Sequence, residues 1–319
     1  MRRYVFLAAA LAAMCVPAAA AKNPGGGPGF DGAKREIYKT VGDVKLTIDI
    51  FTPPGHKPAD KRPSSAKATA GRPAAVFFFG GGWNGGSVRQ FAPHCAYLAS
   101  RGMVAMVADY RVKSRQKTTP FECVKDGKSA VRWIRTNAGR LGVDPKRIAA
   151  GGGSAGGHVA AAAGTVPGLE EDGEDRAVSP VPNALLLFNP VYDNGPKGYG
   201  YSRVKDRYKE ISPMHNIRKG MPPAIVFLGT RDKLIPVATA KAFQAKMEAV
   251  GSRSELRLYE GQGHGFFNAR AFRKKKGVSE YYVKTVRQMD LFLASLGWLE
   301  GEPTLGKDAG AAADKAGSR

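Results

Sequence analysis

Residues 152–156 read Gly-Gly-Ser-Ala-Gly, a G-x-S-x-G arrangement centred on Ser154. An apolar run at 147–150 precedes it and a small-residue stretch at 158–163 follows, so a sharp strand-to-helix turn is predicted at the serine. Crowding accounts for the glycines, because Cβ atoms on either side of so tight a turn would clash. A hydroxyl placed there sits at a helix N-terminus, where backbone N–H groups and the helix dipole favour negative charge. That suits a nucleophile for acyl transfer. In a chain with 40 glycines the motif alone is weak, and an ordinary glycine turn competes with it.

A nucleophile needs a base, an orienting acid and a place for the developing oxyanion. Phe79-Gly80-Gly81-Gly82-Trp83 follows an apolar run and offers backbone amides free to turn toward an anion. Trp83, directly after the glycines, is expected to crowd the carbonyl and select short acyl groups. Of the five histidines, His264 lies on a glycine-flanked loop at 261–266, between the last expected strand and the last expected helix. His158 is four residues from Ser154 on the same helix and reads as structural. His94 falls on a helix, His56 in a linker and His215 in a polar stretch. Asp232 ends Gly229-Thr230-Arg231-Asp232, just past the run at 224–228. Glu260 is the reserve acid, but it lies too near His264 along the chain to approach from the other side. Ser154, Asp232 and His264 in that order follow one of three unrelated triad orders.

The elements that must position these residues are legible as short apolar runs separated by helical patterns. Runs 35–41 and 44–51 read as strands joined by a Gly42-Asp43 turn. Runs at 74–79, 103–108, 147–150, 184–188, 224–228 and 255–259 read as further strands, most of them continuous enough for a buried parallel sheet. Helical spacing covers 121–137, a stretch opening at Pro236, and 278–296. The fold class is therefore α/β, a mostly parallel sheet with helices on both faces.

The 319-residue chain opens with Arg2 and Arg3, an apolar run at 5–16 and small residues up to Ala21. This is the plan of a secretory signal over 1–21, with secreted or periplasmic localisation expected and no stable membrane insertion after cleavage. A linker is expected at 22–33, one catalytic domain at 34–299, and a disordered tail at 300–319. Inside the domain, 57–73 is expected to be a mobile loop, and 164–182 and 191–220 to supply lid material. The formal charge is +22, or +20 after cleavage, which should attract polyanions. Cys95 and Cys123 remain in an oxidising compartment, and spacing alone does not decide whether they pair. No zinc-type spacing is present, so neither metal nor cofactor is expected.

The strings FGGGW (79–83), ADYR (108–111), GGGSAGGH (151–158), GTRD (229–232) and GHGF (263–266) resemble the α/β-hydrolase fold serine esterases. The resemblance runs from about residue 74 to 296 and is nearest the hormone-sensitive-lipase-like and feruloyl/acetyl-xylan-esterase-like branches. It implies a nucleophile at Ser154, an acid at Asp232, a base at His264, and oxyanion donors at the amides of Gly81, Gly82 and Ala155. Phe79 stands where the family usually has a histidine that orients the oxyanion loop. Asp109 and Arg111 read as structural. The expected substrate is a small ester or an acylated carbohydrate, with an acidic polysaccharide as a further partner and no nucleic acid. Two alternatives stay open: a polyanion-binding protein on an idle hydrolase scaffold, and a small serine peptidase.

Overall fold

Alternation along the strands shows how the layers form. In the computed structural model, which describes residues 29–56, 71–269 and 277–306, Ala74, Val76 and Phe78 face one apolar cluster while Ala75 and Phe77 face another. A strand with both faces buried must be covered on both sides, and it is. The strands are β1 (Ala33–Val41), β2 (Val44–Phe51), β3 (Arg72–Phe78), β4 (Val104–Ala108), β5 (Val143–Gly153), β6 (Ala184–Phe188), β7 (Ala224–Gly229) and β8 (Ser254–Tyr259). They form one sheet in the order β1-β2-β4-β3-β5-β6-β7-β8. β2 pairs antiparallel with both β1 and β4, and every other pairing is parallel.

The helices are α1 (Ala92–Ser100), α2 (Lys113–Gln116), α3 (Pro120–Thr136), α4 (Ala138–Leu141), α5 (Ala155–Thr165), α6 (Tyr201–Val204), α7 (Val237–Ala249) and α8 (Glu280–Ser295). One face of the sheet is covered by α3, α5 and α7, through residues such as Val131, Val159 and Phe243. The other is covered by α1 and α8, through Leu98, Val286 and Met289. α3 starts where its sequence says it should: Thr119 and Glu122 form a reciprocal capping box, and Pro120 occupies the first turn. Among the described residues, no helix is long and apolar enough to cross a membrane.

Cys95 and Cys123 are free and buried in the two different clusters, so the sheet lies between them and they do not pair. Two boundary expectations change. Residues 300–306 are tied down: Arg101 donates to the carbonyls of Glu300 and Gly301, each at 2.9 Å, and Arg287 to that of Leu305 at 3.0 Å. Arg72 and Pro73, expected in the mobile loop, open β3. Residues 57–70 of that loop, the expected signal segment and the last 13 residues lie outside the described residues.

The larger correction concerns residues 164–182. This stretch follows α5, which runs from the carboxyl edge of the sheet back to the other edge, so the chain leaves it far from any site at the carboxyl edge. The stretch runs along α3 instead. Glu170 and Glu174 pair with Arg132, and Arg132 also donates to the Val178 carbonyl at 2.8 Å. Glu171 joins a buried network with Arg111 (2.6 Å) and Lys39 (2.7 Å), both of which also pair with Asp126. Asp109, as expected, is structural, and it pairs with Arg115 at 2.6 Å.

Candidate active site

The carboxyl ends of β3, β5, β6, β7 and β8 deliver five segments to one edge of the sheet, the place where open α/β sheets bind ligands. Ser154 directly follows β5 and caps α5 with φ 55° and ψ −120°, a left-handed backbone that an L-residue adopts at a cost of about 1–3 kcal/mol. Its neighbours show why the motif needs glycine. A Cβ on Gly152 would lie 2.5 Å from the Phe78 carbonyl oxygen, and one on Gly156 would come closer still to the same atom. The strained turn is held from outside by Ser154 N donating to the Phe188 carbonyl (3.0 Å), while the Ser154 carbonyl accepts from His158 and Val191.

Asp232 and His264 meet as a pair. His264 Nδ1 lies 2.8 Å from Asp232 Oδ2, and the carboxylate is fully buried. Its other oxygen, Oδ1, accepts from the amides of Leu234 (2.8 Å) and Ile235 (3.0 Å), so the acid is fixed by the turn after β7. Ser154 and His264 then line one cavity of about 430 Å³ together with Gly80, Gly81 and Gly82, while Tyr199 and Arg203 form part of its wall. Ala155 is the first residue of α5, so its N–H has no partner within the helix. Glu260 makes no hydrogen bond or ion pair with His264; the acid partner is Asp232.

The other four histidines are placed elsewhere. His158 is buried, with Nε2 3.1 Å from the Ile211 carbonyl oxygen, and desolvation lowers its pKa to about 4. His94 is buried among Phe91, Phe188 and Tyr282, and desolvation lowers it to about 3. His56 contacts the Leu141 carbonyl, and His215 contacts Ser212, at 3.1 and 2.8 Å.

Where the esterase pattern has a histidine before the glycines, this chain stacks Phe79 on Tyr110 at 4.2 Å, and the Tyr110 hydroxyl donates to the Phe79 carbonyl. The loop is then anchored by a relay invisible in the sequence. Gly80 N donates to Gln90 Oε1 (2.6 Å), Gln90 Nε2 to Asn268 Oδ1 (2.9 Å), and Asn268 Nδ2 to the Gly265 carbonyl (2.8 Å). Gly265 N in turn donates to Asn189 Oδ1 at 2.9 Å, and Asn189 Nδ2 lies 3.4 Å from His264 Nε2. The glycine loop and the histidine loop are thus tied through three amide side chains. No local motif marks them, because they are separated by up to 178 residues.

Trp83 departs from its expected role. With φ 57° it turns away from the cavity and is buried edge-on against His158 at 5.1 Å, with Tyr199 beside it. Tyr199 and Arg203, from the 191–220 stretch, take the wall position instead. Among the described residues, no cluster of ligating side chains fits a metal ion.

Comparison with known proteins agrees with this fold. The BD-FAE family model matches residues 62–182, and the model of the dienelactone hydrolase family matches 196–292. The esterase LipC of Mycobacterium tuberculosis is 31% identical over 217 residues, covering 61% of this chain and 53% of LipC. An AB hydrolase superfamily protein of Schizosaccharomyces pombe is 36% identical over 265 residues, covering 69% of this chain and 73% of its own. The structure of Thermogutta terrifontis esterase 2 with propionate bound superimposes with a TM-score of 0.76 at 44% identity, covering 85% of this chain and 97% of the esterase. The chain spans about half the length of the curated relatives LipC and LipM, the latter a probable carboxylic ester hydrolase of Mycobacterium tuberculosis. With the eight-stranded sheet, the serine elbow and these relatives in agreement, the chain belongs to the carboxylesterases of the α/β-hydrolase superfamily.

Proposed function

We propose that the protein hydrolyses short-acyl carboxylic esters through Ser154, His264 and Asp232, and that it does so outside the cytoplasm. Ser154 Oγ attacks the ester carbonyl carbon while His264 Nε2 takes its proton. Asp232, hydrogen-bonded to Nδ1, holds the tautomer this transfer needs and stabilises the imidazolium. The amides of Gly81, Gly82 and Ala155 stabilise the oxyanion. Each such donor is worth about 10²–10³ in rate. Collapse of the tetrahedral intermediate releases the alcohol, which takes its proton from His264. Water then attacks the acyl-serine with His264 again as base, which frees the carboxylic acid and restores the serine.

The observation that carries this reading is the 2.8 Å Asp232–His264 pair opening onto the cavity that also holds Ser154 in a strained turn. Short acyl groups are favoured by the modest cavity and by the Tyr199 wall, and the propionate bound in the Thermogutta esterase supports that size. A carbohydrate alcohol is in keeping with the polar wall. The export reading rests on the pattern of residues 1–21. The test is labelling with a fluorophosphonate followed by peptide mass mapping. A single stoichiometric adduct on Ser154, lost in His264→Ala, is expected. An adduct on another serine, or none, overturns the assignment.

A further inference from the structure

A second cavity, of about 300 Å³, adjoins the active-site cavity and shares Gly82 and Arg203 with it. Three cationic side chains line it: Lys113 in α2, Lys117 at the end of α2 and Arg203 in α6. None of the three pairs with a carboxylate among the described residues. The acids on the neighbouring segments are engaged elsewhere: Glu122 accepts from Thr119, Asp206 from Tyr201 and Glu210 from Arg207. Arg111, Arg115, Arg132 and Arg140, by contrast, each have a carboxylate partner.

Arg203 is held by rings instead of by an anion. Its guanidinium carbon lies 5.5 Å from the centre of the Trp83 indole and 5.6 Å from that of the Tyr199 ring. Its Nη1 and Nη2 would lie 3.7 and 3.8 Å from a Cβ on Gly82, so the guanidinium borders the glycine loop itself. Two residues of its lining, Trp83 and Thr118, also have a buried polar atom, Nε1 and Oγ1, with no hydrogen-bond partner among the described residues. Three like charges gathered without counter-charge repel one another, and an anion between them removes that cost. A guanidinium pre-oriented by aromatic stacking loses little freedom when its planar fork meets a carboxylate.

We propose that this second cavity is an anion subsite and that the preferred substrate is an ester that also carries a carboxylate, as an acylated acidic sugar does. Arg203, between the two cavities, grips the carboxylate, and Lys113 and Lys117 complete the charge. The proposal rests on the ester-hydrolase reading and narrows its substrate class.

The experiment compares kcat/KM within two matched pairs. One pair is an O-acetylated methyl glucoside and the corresponding methyl glucosiduronate, which puts the charge on the alcohol side. The other is p-nitrophenyl butyrate and p-nitrophenyl hydrogen succinate, which puts it on the acyl side. The wild-type enzyme is expected to favour the charged member of at least one pair through a lower KM. Added salt should shrink the preference, since screening acts over about 10 Å at 0.1 M. Lys113→Gln with Lys117→Gln should reduce the charged-to-neutral ratio about tenfold, the size of effect typical of losing charge-assisted contacts. Circular dichroism checks that the variant keeps its fold. Equal handling of both members in both pairs, or a variant that changes both members by the same factor, overturns the subsite alone. Absence of turnover on every ester, neutral ones included, overturns the ester-hydrolase reading beneath it.

Discussion

The two polar crossovers, 164–182 and 191–220, have opposite fates. Both are polar stretches between core elements, and composition alone offers both as covers for a site. The first follows a helix and is clamped along α3 by Glu170, Glu171 and Glu174. The second follows β6, so it begins at the carboxyl edge and sends Tyr199 and Arg203 into the cavity wall. The direction of the preceding element decides which edge of the sheet a crossover reaches. The charges sort accordingly. Glu170, Glu171 and Glu174 pair with buried cations at a distance from the site, whereas Arg203 at the site mouth has aromatic rings beside it and no carboxylate partner among the described residues.

The contrast can be broken most severely on the clamped side. Asp126→Ala leaves Lys39 and Arg111 buried with Glu171 as their remaining acid partner. Such a loss costs about 3–5 kcal/mol. Urea unfolding should record it as a lower midpoint, with kcat/KM per folded molecule on p-nitrophenyl acetate close to wild type. A matching fall in kcat/KM would mean that the network also serves the site. On the site side, Gln90→Leu removes the acceptor for Gly80 N and the donor to Asn268. An orphaned buried group costs about 1–3 kcal/mol. Here the expected loss appears in kcat, about ten- to a hundredfold, with little change in KM, because the glycine loop acts on the transition state. A rise in KM alone would place the relay in substrate binding instead.

A third test separates the core from both crossovers through pH. His94 is neutral in the fold, with its pKa lowered from 6.5 to about 3 by burial among aromatic rings. The unfolded chain binds this proton more readily, so stability is present above pH 6.5 and is lost as pH falls toward about 3. His158, lowered to about 4, adds to the same slope. His94→Phe should flatten the fall in Tm over this window, and an unchanged slope would mean that another group controls acid unfolding. The smallest effect is expected at Glu122→Ala, which removes half of the capping box of α3 and should cost about 1 kcal/mol.

The sheet was legible because its strands are short apolar runs with helical patterns between them, and the catalytic candidates because each follows such a run. Ala184–Phe188 is a strand with the bounds its sequence suggests. What the sequence withheld is set by tertiary approach. Gln90, Asn189 and Asn268 have no signature, since each acts through a residue far along the chain. Trp83 misled because adjacency to the glycines says nothing of side-chain direction once φ is positive. Residues 300–306 look like tail by composition, but their backbone carbonyls are captured by Arg101 and Arg287.

The most direct test of the central claim is the steady-state hydrolysis of p-nitrophenyl acetate by wild type, Ser154→Ala, His264→Ala and the double variant, each checked for folding by circular dichroism. The account predicts that either single change lowers kcat by about 10³-fold or more and that the double variant is scarcely worse, because the two groups act as one unit. A folded Ser154→Ala protein that retains wild-type kcat would contradict it.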